Sequence, residues 1–167
     1  MRFLKLSIAA LVAVPALALA QGNPAQAKPD MKTTFGVMKS NVDKITLPSE
    51  KVRWEANKDA WEVEVAQHGK VQPADLGKIS AAVDKIVENV SKIRGGGEKE
   101  RWQANIELWQ LLISHQGILG KAELAAATAS LQTMKANVAD ITSAMEKERW
   151  QANRDLWQAM LDRAGTN

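Results

Sequence analysis

Residues 98–109 read EKERWQANIELW. The same pattern stands at 50–61 as EKVRWEANKDAW and at 146–157 as EKERWQANRDLW. The shared form is E-K-x-R-W-x-A-N-x-[DE]-x-W, and its copies begin 48 residues apart with no insertion or deletion. Self-similarity at a fixed period is the signature of a repeat architecture. The same offset aligns the flanks: Asn41, Asn89 and Asn137 correspond, as do Met38, Ile86 and Met134, and Phe35, Val83 and Leu131. Downstream, Gly69, Gly117 and Gly165 correspond. The repeats therefore run 22–69, 70–117 and 118–165.

Each unit reads as a helical hairpin. In the second copy Leu76, Ile79, Val83, Ile86, Val90 and Ile93 alternate steps of three and four, one apolar stripe on a helix. Leu124, Ala127, Leu131, Met134, Val138 and Ile141 repeat it, and Met31, Phe35, Met38, Val42 and Ile45 give a weaker version. Pro48 and the glycines at 95–97 interrupt helices, and connectors this short force antiparallel neighbours. Ser143 with Glu146 forms a capping box.

The spacing predicts helices over about 30–45, 49–67, 74–93, 98–115, 121–141 and 146–163. The expected fold is all-α, three tandem antiparallel hairpins of 48 residues in a closed pseudo-threefold bundle or a short stack. Gly69, Gly117 and Gly165 suit a left-handed residue ending each second helix. Glu50, Glu98 and Glu146 favour the positive end of the helix dipole and stand three residues before Arg53, Arg101 and Arg149.

The chain has 167 residues and no cysteine, which excludes disulfides, thiolate metal sites and covalent haem through C-x-x-C-H. The first twenty residues read as a secretory signal peptide. Arg2 and Lys5 precede an uncharged apolar run, and Ala18, Leu19 and Ala20 form a small-x-small cleavage site. The run is shorter than the roughly 18–20 residues that span a bilayer. We therefore expect cleavage after Ala20, a periplasmic or secreted protein, and no membrane insertion after cleavage. Residues 21–29 read as a disordered linker before a single domain over 30–165. Without Arg2 and Lys5 the 22 Lys and Arg fall to 20 against 19 acidic residues, so no nucleic-acid partner is indicated.

Candidate binding residues lie in the motif. Trp54 and Trp61, Trp102 and Trp109, and Trp150 and Trp157 are seven residues apart, on one helix face and about 10 Å along it. They could cage a cation or a flat ligand, but stripes at helical spacing are more often core. Asn57, Asn105 and Asn153 lie about 40–60° from the tryptophans around the helix. They read as register-fixing amides bonded to Asn41, Asn89 and Asn137, or as the polar lining of a pocket. On the first reading Asn105→Leu costs little. His68 and His115 stand near equivalent helix ends, where the dipole alone favours them. With no spaced His or Cys cluster, we expect no metal and no cofactor. No nucleophile elbow, phosphate loop or paired acids appear outside the helix caps. The expected function is non-catalytic: an exported interaction or scaffold protein, stress-related or chaperone-like, with an unknown protein partner. The alternative is a small-ligand carrier with a Trp/Asn-lined pocket.

Overall fold

The computed structural model describes residues 30–67 and 71–165. The expected signal peptide over 1–20, the expected linker over 21–29, His68 and Gly69 fall outside the described residues. Within them the chain forms six helices and no strand: α1 (Met31–Val42), α2 (Pro48–Ala66), α3 (Pro73–Val90), α4 (Gly96–Ser114), α5 (Lys121–Ala139) and α6 (Ala144–Ala164).

The helices begin where the sequence offers a start. Pro48 and Pro73 occupy first-turn positions, where the missing N–H costs nothing. Asp30 caps α1 by accepting from the Thr33 N–H at 3.0 Å. Ser143 caps α6 by accepting from the Glu146 N–H at 3.5 Å. Two expectations fail locally. Gly96 and Gly97 do not stay in the connector; they form the first turn of α4 behind Gly95. Gly165 has φ −75°, so of the described pair only Gly117, at φ +81°, ends its helix in the left-handed region. There the Gly117 N–H returns 2.8 Å to the Leu112 carbonyl.

The first helices also stop two or three residues early, at Val42, Val90 and Ala139. Ile45, Ile93 and Ile141 still reach the core, because the chain turns back under the helix end. Their N–H groups bond the carbonyls of Val42, Val90 and Val138 at 3.0, 3.0 and 3.3 Å. The rest of each stripe is buried as its period requires, except that Leu76 and Leu124 are half-buried.

The helices close into a ring. The inner helices α2, α4 and α6 carry the Trp motif, and the outer helices fill the grooves between them: α3 between α2 and α4, α5 between α4 and α6, α1 between α6 and α2. The contact of α1 with α6 decides between the two arrangements that the repeats allowed, in favour of the closed pseudo-threefold bundle. Each outer helix also lies more extensively against the inner helix of the preceding repeat than against its own hairpin partner. The sequence repeat is therefore not the packing unit. Closure makes α1 and α6 such a pair although they stand at opposite ends of the domain.

Candidate functional site

Equivalent residues of the inner helices meet at equal heights, so the three helices run parallel about a common axis. Positions 54, 57, 61 and 64 step by three and four, the spacing of a coiled-coil seam. The side chains there form layers.

The first layer is charged. Arg53 donates to Glu98 at 2.7 Å and Arg101 to Glu146 at 2.8 Å; Arg149 donates to Glu50 and closes the circle. The pairs join neighbouring repeats rather than residues three apart on one helix, which corrects the sequence-based pairing. The arginines are buried beside the axial tryptophans, and the neighbouring inner helix supplies the carboxylate. Each guanidinium also faces an indole ring of the adjacent repeat. Arg53 is 5.8 Å from the Trp102 centroid, and Arg101 and Arg149 are 5.5 Å from those of Trp150 and Trp54.

Below it Trp54, Trp102 and Trp150 form a closed triangle of edge-to-face rings, with centroids 4.8–5.0 Å apart. Trp61, Trp109 and Trp157 form a second triangle at 4.5–4.8 Å. Between the triangles lies a ring of amides. Asn57 donates to Asn153 at 2.9 Å, Asn153 to Asn105 at 3.0 Å and Asn105 to Asn57 at 2.9 Å. Each Oδ1 also accepts an indole N–H: Trp61 to Asn153 at 2.8 Å, Trp109 to Asn57 at 3.0 Å and Trp157 to Asn105 at 2.8 Å. The nine motif residues are at most 1% exposed, and the tryptophan faces are taken up by one another and by the arginines.

The amides do not pair with the outer-helix asparagines, as the sequence suggested. Asn41, Asn89 and Asn137 bond backwards along their own helices, to the carbonyls of Val37, Lys85 and Thr133 at 3.2, 2.8 and 3.0 Å. The expected cost of losing one amide rises accordingly. Asn105→Leu leaves the buried Trp157 N–H without its acceptor and removes the Asn105 partner of the Asn153 amide. At about 1–3 kcal/mol per orphaned buried group, the variant should lose roughly 2–6 kcal/mol in urea unfolding. A loss within about 0.5 kcal/mol, the range of surface substitutions, would show that the ring does not matter.

The layer after the second tryptophan triangle breaks the symmetry. Its positions are Glu64, Leu112 and Met160. Glu64 is 1% exposed, and its Oε2 has no hydrogen-bond partner among the described residues. Burial pushes its carboxyl up to about 7, against a smaller opposing pull from the Arg163 charge. These side chains open onto a cavity of about 430 Å³ at the C-terminal ends of the inner helices. Val71 and Leu119 complete its buried floor, while Gln72, Pro73, Gln116, Ile118 and Arg163 are exposed at its mouth. Ile118, 76% exposed, is the most exposed large apolar side chain among the described residues.

None of the nine motif residues lines this cavity, nor the smaller one of about 200 Å³ beside Thr33, Thr34 and Val37. Reading each repeat only through its shared letters passed over Glu64. The signal was present in the column where two repeats have an apolar residue and one a carboxylate. His115 lies beside the mouth residue Gln116, with its Nε2 3.8 Å from Glu123 Oε1. Among the described residues no three acidic or histidine side chains gather to hold a metal ion, and no helix is long and apolar enough to cross a membrane. No protein family, curated protein or solved structure matches the chain.

Proposed function

We propose that the protein is an exported, non-catalytic binding protein that carries a small ligand in the cavity below Glu64, Leu112 and Met160. The observation behind this reading is Glu64, which lines a cavity of about 430 Å³ and has a buried carboxylate oxygen with no partner among the described residues. An unsatisfied buried acceptor costs stability, and a ligand donor is the simplest way to satisfy it. Apolar walls with a few polar groups are the usual composition of small-molecule sites, and the volume is in their usual range. The carrier reading thus moves from the Trp/Asn axis, which is filled, to the end of the bundle. Export rests on the apolar leader over 1–20 and its cleavage site after Ala20.

The test is native mass spectrometry of the protein recovered from the periplasm of its own host. A non-covalent adduct of small-molecule mass is expected, and it should be lost in Ala164→Trp, which fills the cavity from its wall. Adduct-free spectra for both proteins would overturn the carrier reading.

A second reading, an interaction or scaffold protein with a chaperone-like role, draws on Leu47, Val52 and Met145. These exposed apolar side chains stand at the opposite end of the bundle, where α2 and α6 begin. It requires that the protein suppress aggregation of a denatured client and that Leu47→Lys with Met145→Lys abolish the effect.

A further inference from the structure

The chemistry around Glu64 narrows the ligand class. Resting on the reading of this cavity as a ligand site, we infer that the ligand is a small organic cation, a primary ammonium group on a short apolar body, with the ammonium seated on Glu64. Three observations converge on it. One buried carboxylate oxygen of Glu64 has no donor among the described residues, and an ammonium group brings three. The inner helices α2, α4 and α6 all end at this cavity, at Ala66, Ser114 and Ala164, so their negative dipole ends add to the carboxylate. Leu112, Met160 and Leu119 supply a buried apolar floor for the hydrocarbon part.

Other ligand classes fit less well. An anion would meet a carboxylate and three negative helix ends; the positive charge at hand, Arg163, is exposed and has interactions of its own. A bare metal ion needs several oxygen or nitrogen ligands, whereas among the described residues Glu64 is the lone carboxylate lining the cavity. A neutral alcohol offers a single donor and no charge.

Isothermal titration calorimetry of the purified protein at pH 8, where the Glu64 carboxyl is ionised, tests the inference. The probes are n-hexylammonium chloride, 1-hexanol and sodium hexanoate. The ammonium should bind at least about tenfold more tightly than the alcohol, which corresponds to about 1.4 kcal/mol, and hexanoate should not bind. Glu64→Gln should keep the far-UV dichroism and the alcohol binding and lose the preference for the ammonium.

Equal binding of alcohol and ammonium would overturn the cation class while leaving the cavity a ligand site. So would failure of all three probes when the native adduct persists. A preference that survives in Glu64→Gln would overturn the role of Glu64. Failure of the probes together with an adduct-free native spectrum would remove both readings.

Discussion

Trp102→Ala is expected to lower the free energy of unfolding by about 3–5 kcal/mol, the usual cost of deleting a large buried aromatic. Trp102 is fully buried and meets two other indoles edge-to-face, at 5.0 Å from Trp54 and 4.9 Å from Trp150. It also carries the Arg53 guanidinium against its face. Its own indole nitrogen is buried without a hydrogen-bond partner, so the substitution breaks no hydrogen bond there and the loss is one of packing. Because the helices close into a ring, the middle copy has no more neighbours than the outer ones. Trp54→Ala and Trp150→Ala should therefore cost about as much as Trp102→Ala, within about 1 kcal/mol. Urea unfolding of the three variants checks this. A markedly smaller cost at Trp54 would indicate an end repeat and an open stack. A cost within about 0.5 kcal/mol at Trp102 would mean that the indole is exposed.

Glu64→Leu should have the opposite effect and stabilise the protein at alkaline pH by on the order of 3 kcal/mol. In the unfolded chain the carboxyl titrates near 4.5; in the fold it titrates near 7. Between these values the folded protein holds a proton that the unfolded chain has released, so stability falls as pH rises through this window. Above it the cost is complete; below about 4.5 both forms are protonated and the cost vanishes. Leu112 and Met160 already occupy the equivalent positions, so a leucine suits the layer. Chemical denaturation at pH 4, 6 and 8 should show the stability advantage of Glu64→Leu over wild type growing across the series, because groups common to both proteins cancel in the difference. A variant no more stable than wild type at pH 8 would show that the carboxylate is solvated. The size of this penalty is a further reason to read Glu64 as a functional group. The fold would be more stable with the residue that its sister repeats use.

The layers also separate what is local from what is not. The Trp and Asn positions fall on one face because a helix turns through about 100° per residue, and the 48-residue repeat places that face three times. What each group touches depends on the other two copies. The indole of Trp157 donates to an amide 52 residues away, and Arg53 crosses to a carboxylate 45 residues away. A single helix offers Arg53 a partner three residues before it, and the sequence alone gave no reason to prefer the distant one.

The sequence by itself determined six helices, their apolar stripes, the equivalence of three units and the approximate helix ends. These follow from period, capping residues and glycine or proline, all of which act within one or two turns. Only the tertiary structure decided that the ring closes through α1 and α6. It also decided that the amides bond one another across the axis, and that the candidate site lies at a layer where the repeats differ. The physical reason is the same in each case. Hydrogen bonds, desolvation and the resulting shift of the Glu64 carboxyl are set by atoms within a few ångströms, and on this axis those atoms come from residues 48 and 96 positions apart.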